Sequence, residues 1–196
     1  MHTPFEPLGD LWLREHRYTH LGHCTVGPVY RTQCTDSMSQ DRQTAPADAI
    51  VLTAHHCTQP STAEHFWPAP SGNLYLSIPF WGRPTQAREA LTDGLEQWWM
   101  QCAPDVPRTV RWDGWHGAHR AADNRFLSGL TIFQGPRTGV CFMGIDVHLS
   151  ASEDQYKALH ADHEHTSIAT LTGRQLNVDE QLWSVLRCLT PQHESP

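Results

Sequence analysis

The stretch AIVLTAHHCTQPSTAEHFWPAPSGNLYLSI, residues 49–78, decides how the whole chain is read. Its first six residues, AIVLTA, are a β-branched apolar run of the kind a buried strand uses. From residue 73, NLYLSIPF alternates apolar and polar positions and reads as a second strand, entered through the turn at Ser71-Gly72. Between the strands lies a loop with His55, His56, Cys57, Glu64, His65 and Trp67. No Lys or Arg occurs anywhere between Arg42 and Arg83. This loop offers metal ligands and proton carriers but no fixed cation. It is open to three readings: a metal site, a catalytic loop, or a binding loop without charged chemistry.

Working outward, TQAREALTDGLEQWWMQCA (85–103) carries apolar residues at Ala87, Leu91, Leu95, Trp98 and Cys102. That spacing predicts an amphipathic helix, capped by Thr85 after Pro84 and ended by Pro104. TVRW (109–112), FLSGLTIFQ (126–134) and TGVCFMGIDVHL (138–149) read as further strands, the last two joined by a short GPR turn into an antiparallel hairpin. NVDEQLWSVLRCL (177–189) reads as a closing helix, with Asn177 or Asp179 at its cap and Leu182, Val185 and Leu189 on one face. The expected fold is α+β, a mixed and mainly antiparallel sheet covered by helices rather than a doubly wound one.

The 196 residues suit one domain. Net charge is −7, Lys157 is the only lysine, and no basic run exists, which excludes nucleic acid and anionic membrane as natural partners. No apolar run approaches the roughly 18 residues a membrane span needs. The N-terminus lacks an apolar signal core, and the six cysteines never form a CxxC pair. A cytoplasmic location with reduced thiols is therefore expected. Cys57 reads as an inert buried thiol more readily than as a nucleophile.

Fourteen histidines invite a metal reading. The clusters are His55, His56, Cys57 and His65; His20, His23 and Cys24; and His160, His163 and His165, where the i, i+3 pair would share a helical face. None has a zinc-finger or HExxH spacing, so surface histidines are the favoured reading, with His160, His163 and His165 as the metal candidates. His56 and His65 are candidate proton carriers.

In this order the elements resemble the catalytic domain of biotin protein ligases, within the wider biotin/lipoate ligase fold. TDSMSQ (35–40) resembles the family's D-S-T-N segment through Asp36 and Ser37. Residues 49–78 resemble its strand, glycine–arginine loop, tryptophan and N-L-y-x-S strand. VRW (110–112) resembles the V-K-W that opens K-W-P-N-D, FLSGLTI resembles K-x-x-G-I-L with Gly129 at the glycine, and FMGIDVHL resembles G-I-G-I-N-V. TLTGRQLNVDEQLW (170–183) resembles the closing loop and helix.

The resemblance implies a class II synthetase-like domain that joins biotin, lipoate or a fatty acyl group to ATP with Mg²⁺, then passes it to a carrier protein. It also implies a homodimer. Residues 1–196 would form one such domain, with 1–29 an N-terminal extension, no DNA-binding domain and no C-terminal β-barrel. The ligand-binding positions carried over are Asp36, Ser37, His56, Trp67, Asn73, Arg111, Trp112, Gly129 and Asp146. Arg111, His56 and His65 are the candidate catalytic residues.

The departures fall where the chemistry is. Adenylation brings a carboxylate up to a triphosphate, and both are anions. The family's G-R-G-R-x-G-R-x-W loop is here Gln59 to Phe66 before Trp67, with no arginine and no glycine. Arg111 stands at the lysine, and Asp113, Gly114 and Trp115 follow Trp112. Asp146 replaces the asparagine of the G-I-N strand and adds negative charge. At about 3 kcal/mol per lost donor, conventional adenylation would slow by many powers of ten. The expectation is a divergent member that keeps a pocket for a small carboxylate; the alternatives are a non-catalytic binding or regulatory module and a His/Cys metal-dependent enzyme.

Overall fold

The computed structural model describes residues 18–24, 27–34, 47–52, 73–134, 139–158 and 164–189. Among these residues eight strands are formed: β1 (Tyr18–Cys24), β2 (Gly27–Cys34), β3 (Ala47–Leu52), β4 (Leu74–Trp81), β5 (Arg108–Asp113), β6 (His116–Ala121), β7 (Phe126–Gln134) and β8 (Val140–Val147). Four helices accompany them among the described residues: α1 (Pro84–Cys102), α2 (Glu153–Ala158), α3 (Ile168–Thr172) and α4 (Val178–Leu189). The strands make one sheet in the order β1-β2-β3-β4-β8-β7-β6-β5. Only β3 and β4 run parallel; every other neighbouring pair is antiparallel. This is the expected α+β architecture. A parallel pair cannot be closed by a tight turn, and the His-rich stretch that joins β3 to β4 lies outside the described residues.

Helix α1 follows from its periodicity. Ala87, Leu91, Leu95, Trp98 and Cys102 are all buried, as the spacing predicts, and Trp99 joins them. Its start differs from the expected one. Arg83, not Thr85, is the cap: Pro84 occupies the first helical position, where a missing N–H costs nothing, and the Arg83 N–H donates to Gln86 Oε1 at 3.0 Å. At the other end the Ala103 N–H donates to Trp99 O at 2.9 Å.

Helix α4 turns Leu182, Val185, Leu186 and Leu189 inward, and the Asn177 side chain accepts from the N–H groups of Asp179 and Glu180. Gly94 lets the two helices touch. A Cβ there would stand 2.7 Å from Leu189 Cδ2 and 2.9 Å from Cys188 O.

Strand alternation then divides the sheet into two unlike faces. Leu74, Leu76 and Ile78 of β4, Leu130 and Ile132 of β7, and Cys141, Met143, Ile145 and Val147 of β8 are buried in one core with α1 and α4. The alternate residues of β5 to β8 face the other way. Among the described residues no helix is long and apolar enough to cross a membrane.

Candidate functional site on the second sheet face

Register places the candidate residues. Arg111 on β5 pairs with Ala118 on β6, Ala118 with Gly129 on β7, and Gly129 with Asp146 on β8. Directly paired residues share a face, so these four form one row across the side of the sheet opposite α1 and α4. The next row is Asp113, His116, Thr131 and Gly144. Arg111, Asp113 and His116 are exposed and Asp146 is partly exposed, with small residues between them. From Arg111 to Asp146 is three strand spacings, about 14 Å. The result is a floor of Ala118, Gly129 and Gly144, with a cation at the sheet edge and a carboxylate near its middle.

Asp146 is tightly held. Its Oδ1 accepts the Gly129 N–H at 2.5 Å, and His148, two residues along the chain, brings Nε2 to 3.4 Å from that oxygen. Burial pushes the Asp146 carboxyl up, but His148 and the Gly129 N–H outweigh it and hold the group below its ordinary value. Gly129 is needed here for space, since a Cβ would meet Oδ1 at 3.2 Å and Cγ at 3.3 Å. His148 in turn sets Nδ1 3.1 Å from both Phe126 O and Thr166 O. Its ring lies against Tyr156 and against His165, which stacks on Tyr156 and Phe126.

Two expected ligand positions are not brought to this row. Trp112, next to Arg111, necessarily points to the other face. Its ring lies over Gly117, its Nε1 donates to Thr92 Oγ1 at 3.2 Å, and the Arg88 guanidinium lies 5.8 Å from the ring, so it packs the edge of the sheet onto α1. Asn73 is buried at the mouth of β4. Its Oδ1 accepts from the N–H groups of Leu149 and Ala151, and its Nδ2 donates to Tyr156 Oη, stitching the chain after β8 to the start of β4. Asp36, Ser37, His56, His65, Trp67, His160 and His163 lie outside the described residues. His165 forms an isolated bridge with Phe126 rather than part of a helix.

A second polar cluster sits on the helix face. Ser128 Oγ is 2.7 Å from His119 Nδ1, His119 Nε2 is 3.1 Å from Glu96 Oε1, and Arg108 donates to Glu96 Oε2 at 2.8 Å. The succession serine, histidine, acid resembles a hydrolase triad. Ser128 and His119 are both fully buried, however, so no substrate reaches the hydroxyl. Burial, only partly offset by Glu96, pushes the His119 imidazole down to about 4 and keeps it neutral. This network ties α1 to the sheet. Nor do Cys102, Cys141 and Cys188 offer a nucleophile. Burial raises all three free thiols above their ordinary value, Cys102 to about 12.

No protein-family model and no curated protein matches the sequence. Among solved structures, the chain is similar to the apo biotin protein ligase of Aquifex aeolicus at 18% identity and a TM-score of 0.46, over 61% of this chain and 52% of that one. It is also similar to a point mutant of that enzyme in complex with biotin, at 17% identity and a TM-score of 0.46, over 63% and 50%. The same enzyme with biotin and ATP matches at 17% identity and a TM-score of 0.42, again over 63% and 50%. The chain spans about half the length of the solved structures it matches. They belong to the family whose motifs the sequence resembles.

Proposed function

We propose that this chain is a divergent biotin/lipoate ligase-like protein that binds a small carboxylate, of the biotin, lipoate or fatty-acyl kind, on the second face of its sheet. One observation carries the reading. Arg111, Gly129 and Asp146 come from three motifs far apart in sequence, yet they occupy one row of one face. In this reading Arg111 pairs with the ligand carboxylate, for which its planar fork is suited. The small residues of the floor accommodate the ligand body. Asp36, Ser37, His56 and Trp67 are the further ligand contacts that the motif resemblance implies.

The same charges argue against fast adenylation. Asp146 puts a carboxylate where an uncharged amide would tolerate phosphate, and the loop has no cation to offset it. ATP with Mg²⁺ and a carrier protein are accordingly the co-substrate and acceptor of a residual reaction only. His56 or His65 would handle its protons.

Native mass spectrometry tests this with biotin, lipoate and octanoate, each with and without ATP and Mg²⁺. The expected result is a mass increase equal to one carboxylate and no acyl-adenylate. An acyl-adenylate adduct would overturn the loss of catalysis. No binding of any of the three acids would overturn the ligand reading.

A further inference from the structure

We propose that the second face of the sheet reads its ligand at both ends, so that the acid it takes carries an N–H donor, an amide or ammonium group, at the end remote from its carboxylate. This rests on the carboxylate reading above and narrows it, because a plain fatty acid answers only one of the two ends.

The far end is Asp146. His148 Nδ1 faces the carbonyls of Phe126 and Thr166 at 3.1 Å, and carbonyls only accept, so Nδ1 carries a hydrogen. Nε2–H, the second donor of the imidazolium, lies 3.4 Å from Asp146 Oδ1 and makes the pair ionic. The Gly129 N–H donates to the same oxygen. Oδ2 accepts from no described residue, and about a third of the side chain is exposed (32%). A carboxylate offers acceptors alone, whereas an amide at this position would offer both kinds of group. Oδ2 is thus an acceptor that only a donor from outside can answer.

The near end is Arg111, exposed on β5, and His116 extends it. His116 is its diagonal neighbour on β6, within reach of a long side chain. His116 Nδ1 is 3.3 Å from Thr131 Oγ1. When that hydroxyl donates to Nδ1, the neutral ring keeps its hydrogen on Nε2, and the charged ring has one there in any case. Nε2–H and the guanidinium are together donors for one carboxylate. Asp113, paired directly with His116, opposes any further negative charge, which disfavours phosphates and dicarboxylates.

The spacing sets the length of the ligand. Ala118 and Gly129 lie between the ends and Gly144 one row along, so a chain can lie flat across them. Three strand spacings of about 14 Å, less a hydrogen bond of about 3 Å at each end, leave roughly 8 Å. An extended acid of about six to eight carbons covers that span. Opposite charges at the two ends also fix its direction, since the reversed pose sets like charges against each other.

The test is calorimetric titration of the full-length protein with octanoate and with ω-aminooctanoate, which differ only at the remote end. Wild type should bind the amino acid about tenfold or more tightly than the plain acid. Asp146→Asn, which preserves shape, should bring the two within a factor of about two of each other. Circular dichroism checks its folding, and should it unfold, the wild-type ratio alone decides. Equal binding of the two acids by wild type would overturn the two-ended site and leave the carboxylate reading standing. A preference that survives in Asp146→Asn would also overturn it, because another carboxylate would then hold the amine. Binding of neither acid, nor of biotin or lipoate, would overturn both this proposal and the reading it rests on.

Discussion

The Asp146 carboxylate lies against the backbone of Gly129, accepting its N–H at 2.5 Å, in a space that a Cβ at residue 129 would fill. Glycine and carboxylate are therefore one unit, although 17 residues separate them. Gly129→Ala should destabilise the protein by about 1–3 kcal/mol by crowding Oδ1 and Cγ. In an Asp146→Ala background most of that cost should vanish. A double-mutant cycle by urea denaturation measures the coupling, and additive costs would show that the two do not touch.

Arg111 is exposed on the outermost strand, so its loss should leave the fold intact. Arg111→Ala should change stability by less than about 0.5 kcal/mol. Carboxylate binding should weaken about tenfold or more, because a charge-assisted pair is lost. Titration calorimetry with biotin or lipoate checks this, and unchanged affinity would remove Arg111 from the site.

Trp112 should behave in the opposite way. Trp112→Ala empties the contact over Gly117 and the bond to Thr92, and should cost about 2–3 kcal/mol. Ligand affinity, measured well below the melting temperature, should be unaltered. A variant that kept its stability and lost ligand would place Trp112 in the binding face after all.

The Glu96–His119–Ser128 network, in which His119 and Ser128 are buried, makes stability pH-dependent. His119 takes up a proton near its ordinary 6.5 when unfolded but only near 4 when folded. Between those values the unfolded chain binds more protons, so stability rises with pH across that window and is lost as pH falls through it. The full excursion is about 3 kcal/mol. Urea midpoints at pH 4.5 and pH 7 should differ in wild type, and the difference should shrink in His119→Gln.

What the sequence discloses follows from how strongly each element is patterned. Helices α1 and α4 and strands β4, β7 and β8 carry long periodic runs, and each lies within a residue or two of its expected bounds. Strand β6, HGAHRA, has no β-branched or large apolar residue, and nothing in its pattern marks it as a strand. It exists because Asp113 and His116 pair across a two-residue turn in which Gly114 supplies φ +59°. Strands β1 and β2 and the short helices α2 and α3 are not among the elements expected from the sequence.

At the site, motif likeness places Arg111, Gly129 and Asp146 on a common list, but only register shows that they share a row while Trp112 and Asn73 do not. His148 lies in the quoted FMGIDVHL stretch, one residue past the part matched to G-I-G-I-N-V, and alternation from Asp146 along the chain brings it to the same face. Trp99, which periodicity alone puts on the helix surface beside Trp98, is fully buried. The Arg108 guanidinium lies 5.2 Å from its ring, with His119 beside it.

Strands β5 to β8 divide two selective pressures between odd and even positions. Substitutions at the helix-facing residues strike folding, while those at the exposed Arg111, Asp113 or His116 leave the packed core untouched. A lineage built on such a sheet can shed an ancestral reaction one exposed residue at a time and try another ligand without passing through an unfolded intermediate sequence. The same division makes this face a natural starting point for laboratory evolution.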